Sequence, residues 1–188
     1  MKYKLLKIFF LIIFCFQSHY SYSDNLIIQN LKEGKKIIFI RHAIAPGNGD
    51  PNNFDINDCK TQRNLNEEGR AQSEKIGEFF KINNIKIDKV LSSEWCRCKE
   101  TAKIAFKDYT TKSFLNSFYS SKFAKNKDKQ VKALKEYIKN YKNNNNENLV
   151  LVTHYVLISE ILNYGSSSGE IVVSDKNFNI IDTQEISY

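Results

Sequence analysis

Short apolar runs, each broken at once by polar residues, constrain this chain more than any other feature. Lys36–Ile40 reads Lys-Ile-Ile-Phe-Ile and stops at Arg41-His42; Leu149–Val152 reads Leu-Val-Leu-Val and stops at Thr153-His154. A continuous apolar run of this length suits a strand buried on both faces. Asp88–Leu91, running into Ser92-Ser93, reads as another strand. Helical spacing lies between them. Ala71, Ile76, Phe79, Phe80 and Ile82 follow Asn66-Glu67-Glu68-Gly69, an N-cap with acids in the first turn. Ser92-Ser93 is expected to cap a helix carrying Trp95, Thr101, Ala102, Ala105 and Phe106, and Lys129–Tyr141 has helical periodicity through Val131, Leu134, Tyr137, Ile138 and Tyr141. Lys112–Phe118 reads as a short strand or extended crossover, Val156–Leu162 as a helix, and Glu170–Ser174 with Phe178–Glu185 as a closing hairpin. Strands alternating with helices predict an α/β domain: three layers, α/β/α, around a largely parallel central sheet. There is no internal repeat and no second domain.

The domain is expected to span 24–188. Residues 1–23 read as a secretory signal peptide: Lys2, Lys4 and Lys7, an apolar run from Ile8 to Phe16, then Ser21-Tyr22-Ser23 as the cleavage site. The apolar run is too short for a comfortable membrane span, and an uncleaved anchor is the alternative. Cys15 follows a poor lipoprotein pattern. Export, here to a periplasm, implies an oxidising compartment in which a disulfide can form. The net charge is +7, and the leader carries three of the positive charges and no acid. The remainder is mildly basic, suited to anionic substrates and unlike a nucleic-acid footprint.

In open α/β sheets, ligands bind beyond the carboxyl ends of the strands. Past the leader the chain has two histidines, His42 and His154, and both follow a strand. It has only four arginines, Arg41, Arg63, Arg70 and Arg97, although Lys and Arg together number 28. Arginine offers a rigid fork for phosphate or carboxylate that lysine lacks, so scarce arginines at strand ends mark an anion site. Arg41 is at such an end, and Arg97 sits near a helix N-terminus, where backbone N–H groups favour an anion.

Taken in order, Arg41-His42 after a buried strand, Ser92-Ser93 with Arg97 and Thr101-Ala102, and Val152-Thr153-His154 resemble the histidine phosphatase superfamily, which includes phosphoglycerate mutase-like enzymes. The resemblance extends through Asp58–Leu65, Gly69–Gln72 and Ser168–Glu170, with Ala43 where the superfamily usually has glycine. Small bacterial phosphohistidine and lipopolysaccharide-heptose phosphatases look most alike. The resemblance implies that His42 attacks phosphorus and forms a phosphohistidine. Arg41 and Arg97 would clamp the phosphoryl oxygens, and a protonated His154 would stabilise the same charge. Arg63 would be a further phosphate ligand, whereas Arg70 suits a surface salt bridge. The substrate would be a small phosphorylated molecule, with no cofactor and no metal. Oligomeric state is not legible.

The general acid is where the pattern departs. Tyr155 follows His154, and Phe114–Phe123 holds no acid. Asp50, Asp55 and Glu94 are candidates, with Asp50 favoured for its Gly49-Asp50-Pro51 setting. A non-catalytic phosphate- or phosphosugar-binding domain of the same fold is the alternative function. Gly165–Gly169 fits G-x-S-x-G but lies between a helix and a strand in the wrong order for a nucleophile elbow. Cys96-Arg97-Cys98 lacks zinc-site spacing. Cys59 with Cys96 or with Cys98 is the expected disulfide, Cys96 being favoured. Two residues apart on a helix face different ways, so only one can make the bond.

Overall fold

The structure is a computed structural model and describes residues 26–143 and 145–188. The leader expected at 1–23 lies outside the described residues.

Six strands form one sheet in the order β3-β2-β4-β1-β5-β6. They are β1 Ile37–Arg41, β2 Ile87–Ser92, β3 Thr110–Thr111, β4 Asn148–Thr153, β5 Ile171–Ser174 and β6 Ile180–Gln184. The first four run parallel, and β5 and β6 close the edge antiparallel. A helix over residues 26–33 (α1) precedes β1. The others are α2 Glu67–Ile82, α3 Cys96–Phe106, α4 Ser121–Ala124, α5 Lys127–Asn140 and α6 Tyr155–Leu162.

The unbroken apolar strands are explained by burial on both faces. Successive side chains of a strand point to opposite sides. Ile38, Ile40, Val150 and Val152 pack with Ile27, Leu31, Ile76, Phe80 and Ala102, which come from α1, α2 and α3. Ile37, Phe39, Leu149 and Leu151 pack on the other face with Leu134, Ile138, Leu157 and Ile158 of α5 and α6. The result is the three-layer α/β/α arrangement that the alternation predicts. Ile38 and Phe39 are fully buried, so truncating either to Ala costs about 2–5 kcal/mol.

Register assembles the site. Arg41 of β1 lies opposite Thr153 of β4, and Ser92 of β2 lies opposite Val152. The residues that follow, His42, His154 and Ser93, therefore leave the sheet side by side at its carboxyl edge. Helix α2 is capped as expected, the Asn66 side chain accepting from the Gly69 N–H. Gly69 lets α2 lie against the loop after β1, since a Cβ there would sit 2.0 Å from the Ile44 carbonyl oxygen. Ser92-Ser93 does not cap the next helix. α3 starts later, with Trp95 at its N-cap and no side-chain cap bond, because Ser93 is engaged in the site. The crossover at Lys112–Phe118 is a 3₁₀ turn, Ser113–Leu115, after a two-residue strand.

Candidate active site

A cavity of about 460 Å³ opens at the carboxyl edge of the sheet. Arg41, His42, Arg63, Arg97 and His154 line one end of it, and Asp50 sits among them. Arg70 lies elsewhere and pairs with Glu67 at 3.4 Å and Glu100 at 3.5 Å.

His42 is 3 % exposed, and its Nδ1 lies 2.8 Å from the Ala43 carbonyl oxygen. A carbonyl only accepts, so Nδ1 carries the proton and Nε2 keeps its lone pair. Burial, with the Arg97 charge second, pushes the His42 pKa well below the ordinary imidazole range. The ring is thus neutral and in one tautomer, the state a nucleophile needs. Ala43 is itself held by the Thr101 hydroxyl, which accepts from its N–H at 3.1 Å. Ala43 has no positive φ, so alanine sits there without backbone strain.

His154 stands 5.5 Å from His42 between ring centroids. Its Nε2 is 2.8 Å from the Ser93 hydroxyl oxygen. The direction of that bond follows from its neighbours. Asn116 donates from Nδ2 to the Glu94 carboxylate at 2.6 Å, which fixes its amide. Its Oδ1 then lies 3.0 Å from Ser93 Oγ, and two oxygens at that distance need the hydroxyl proton between them. Ser93 therefore donates to Asn116 and accepts from His154 Nε2–H. Burial, then the Arg97 charge, push the His154 pKa well below the ordinary range. That direction favours a neutral His154 ring in the free protein. Cys98 Sγ lies 3.5 Å from the same Nε2, and burial pushes its thiol up to about 12, so it is an inert packing group there.

The arginines are held by their surroundings. Arg41 donates from Nη1 to the Ser166 carbonyl at 2.7 Å, and its guanidinium lies over the Tyr155 ring at 5.5 Å. Arg63 donates from Nε to the Gly49 carbonyl at 2.8 Å and from Nη1 to the Ala45 carbonyl. Burial lowers the pKa of both, and the Arg97 charge adds to the effect. The Nε atoms of Arg41 and Arg97 are buried with no hydrogen-bond partner. Buried donors are rarely left unpaired, and two in one cage mark a place built for an anion.

Asp50 reaches the cavity but is poorly suited to be the acid. Its Oδ1 accepts from Arg97 Nη1 at 2.7 Å and from the Arg63 N–H at 3.1 Å. Its Oδ2 accepts from Arg97 Nη2 at 3.2 Å and from the Trp95 indole at 3.1 Å. Burial alone would raise its pKa, but the bonds and charge of Arg97 outweigh that and hold it below the usual carboxylate value. A carboxylate kept ionised by four donors has no proton to give near neutrality. This arrangement disfavours Asp50 as the general acid. Glu94 is spent on Asn116, and Asp55 caps its own turn through Asn57. Among the described residues, Asp50 is the only acid lining the cavity.

Away from the cage, the cavity changes character. Phe54 stacks on Trp95 at 4.9 Å and meets Phe123 edge-on at 5.3 Å. Lys122 Nζ lies over the Phe54 and Phe123 rings at 5.9 and 5.5 Å. Cys59 and Cys96 form a disulfide, leaving Cys98 free. The bond ties the loop carrying Asp50 and Arg63 to the start of α3, one residue before Arg97. Sequence reasoning missed Ser93, Asn116 and Gln72 as site supports. Gln72 accepts from the Ile44 N–H at 3.1 Å and donates to the Ser168 and Ile186 carbonyls at 2.8 Å. Its place in the Gly69–Gln72 segment was the available signal. Among the described residues, no group of three or more His, Cys, Asp or Glu stands in metal-holding geometry, and no helix is long and apolar enough to cross a membrane.

Residues 37–117 match the sequence pattern of the histidine phosphatase superfamily, branch 1. No curated protein sequence gives a significant match. Among solved structures, the protein histidine phosphatase SixA complexed with tungstate is similar with a TM-score of 0.57 and 15 % identity, covering 81 % of this chain and 96 % of that one. A putative phosphohistidine phosphatase SixA from Agrobacterium tumefaciens gives 0.54 at 20 % identity, covering 80 % and 98 %. The protein TTHB049 from Thermus thermophilus gives 0.57 at 13 % identity, covering 81 % and 99 %. At these identities the structures establish the shared fold.

Proposed function

We propose that this chain, whose residues 37–117 match the histidine phosphatase superfamily, is a phosphohydrolase that removes phosphate from a phosphomonoester or phosphohistidine through a covalent intermediate on His42. The observation that carries the reading is His42 itself: a buried, neutral ring with Nδ1–H fixed on Ala43 and the Nε2 lone pair free.

In the first step His42 Nε2 attacks phosphorus in line, the bond to the leaving group breaks, and the leaving group departs with the electron pair. The negative charge on the equatorial oxygens meets the unpaired Nε–H groups of Arg41 and Arg97 and the field of Arg63. Positioning and electrostatic stabilisation supply most of the catalysis in phosphoryl transfer, and this cage provides both. A phosphate dianion also favours protonation of His154, which would then add its charge. In the second step water attacks phosphorus, the P–N bond breaks, and His42 returns to its neutral form.

With Asp50 committed to Arg97, the leaving group receives no protein proton on departure. General-acid help is typically worth about 10²–10⁴-fold. The substrates that suit the site are those whose leaving group needs little of it, such as an aryl ester or the nitrogen of a phosphohistidine. The SixA likeness, one member of which is a protein histidine phosphatase holding the tetrahedral oxyanion tungstate, is in keeping with that class.

The same lack of a free acid is what favours the second reading, a phosphate- or phosphosugar-binding domain that turns over poorly. Hydrolysis of an activated aryl phosphate by wild type and His42→Ala separates the two. Turnover that disappears with His42 supports the phosphohydrolase. No turnover from folded protein that still binds phosphate or vanadate supports the binding domain. We further propose that the protein is exported to the periplasm, a reading supported by the leader-like residues 1–23 and by the Cys59–Cys96 bond. Fractionation with an antibody to residues 24–188 tests it; a soluble cytoplasmic pool of unprocessed chain would contradict it.

A further inference from the structure

We propose that Asp50 is a positioning residue, which grips the end of the Arg97 guanidinium so that its free side edge faces the phosphoryl oxygens. The proposal rests on the phosphohydrolase reading and deepens it.

The Arg97 guanidinium has five N–H groups. Nη1 and Nη2 form an end-on fork with the two oxygens of Asp50, at 2.7 and 3.2 Å. The second Nη1 proton goes to the Arg63 carbonyl oxygen at 3.2 Å. What remains is Nε–H and the outer Nη2–H, which lie on one edge of the planar group. Nε is buried and has no partner. A planar guanidinium held by one fork can turn only with its holder, so Asp50 fixes which way the second fork points.

Asp50 is itself held. The Arg63 N–H and the Trp95 indole take its remaining accepting directions. The Arg97 side chain is 3 % exposed and that of Asp50 is 14 % exposed. The two residues lie 47 positions apart in the chain, yet they belong to one stapled unit. Cys59 is bonded to Cys96, and Gln62 Oε1 accepts the Cys96 N–H at 2.9 Å. The carboxylate also has an electrostatic task. Arg41, Arg63 and Arg97 crowd around one small space, and a single negative charge beside Arg97 lets all three stay there before substrate binds.

A positioning role and an acid role predict different kinetics. Loss of a general acid slows substrates with poor leaving groups most. Loss of Arg97 alignment weakens the grip on the phosphoryl group that all substrates share. The experiment compares Asp50→Asn with wild type on aryl and alkyl phosphates, with vanadate binding measured alongside. The expected result is a loss of kcat/KM on the order of 10²-fold that is equal across leaving groups, with weaker vanadate binding. In an Arg97→Lys background, which has no fork to align, Asp50→Asn should then add little. A loss confined to alkyl phosphates, or full additivity with Arg97→Lys, overturns the proposal.

Trp95→Phe removes one bond to Asp50 and nothing from its charge, and should give a smaller loss with the same indifference to leaving group. It serves where Asp50→Asn does not fold. If the wild-type protein hydrolyses no phosphate compound, the phosphohydrolase reading fails on its own, and vanadate binding still decides this one. Binding unchanged in folded Asp50→Asn or Trp95→Phe would refute the alignment role.

Discussion

The two ends of the cavity are built on opposite plans. At the cage end, Arg41, His42 and His154 leave the ends of buried parallel strands, and their orientation is set by carbonyls and by a hydroxyl that is itself fixed. At the other end, Phe54, Lys122, Phe123 and the exposed Tyr119 stand on loops and a four-residue helix. The first end is largely buried and crowded with positive charge; the second is aromatic. On the proposed function, the sheet end would act on the phosphoryl group and the loop end would meet what it is attached to. A fold can keep one chemistry and change its substrate only if these are separable.

The sharpest break of that separation is His42→Ala. It should abolish turnover of every substrate, a loss on the order of 10⁴-fold or more, as removal of a nucleophile does, with vanadate binding largely kept. Equal residual hydrolysis of all substrates at the wild-type rate would place the chemistry elsewhere. Next in size is Arg97→Lys, which keeps the charge and loses the fork. A loss of about 10²–10³-fold in kcat, independent of leaving group, is expected from steady-state kinetics.

The Cys59–Cys96 bond staples the loop that carries Asp50 and Arg63 to the start of α3. Its reduction should destabilise the fold by about 2–4 kcal/mol, seen as a lower denaturation midpoint under reductant. The Cys59→Ser variant should not respond to the reductant. The buried imidazoles sharpen the comparison through pH. His42 and His154 bind protons less readily folded than unfolded. Their contribution to stability is full above the unfolded value of about 6.5 and is lost as pH falls toward the folded values. Asp50 and Asp175 act in the same direction, but only below the ordinary carboxylate value near 4. Thermal melts should therefore weaken between pH 7 and pH 5, and less steeply in His42→Ala; a rise in stability over that range would contradict the neutral pair. The smallest effect belongs to the loop end. Phe123→Ala should change KM by a few-fold, about 1 kcal/mol of lost aromatic contact, for bulky aryl substrates and leave small ones unaffected.

Local pattern and tertiary contact divide what was legible in the sequence. The strands at Ile37–Arg41 and Asn148–Thr153 were readable because continuous apolar runs record burial on both faces; Ile87–Ser92 gave a weaker signal, since its first half is charged and only its second half is buried. The helix capped by Asn66 was readable because its cap is a contact between neighbours in sequence. The placement of Arg41, His42 and His154 at strand ends followed from the same runs. The role of Asp50 was not readable, since its meaning is a bond to Arg97 that only the folded loop creates. From sequence Ser93 is expected to cap a helix, as serine after a strand commonly does, but the register of β2 against β4 brings it to His154 instead. The charge of His154 depends on burial and on three arginines from separate segments, which no local pattern contains.

The central claim is a covalent phosphohistidine on His42. The direct measurement is rapid quench of the protein during turnover of an activated phosphate, at a pH that preserves phosphoramidates, followed by peptide mass spectrometry. The account predicts the mass of one phosphoryl group on the peptide containing His42, placed on Nε2 and absent from His42→Ala. Turnover with no phosphorylated histidine, or with the label on His154, would contradict it.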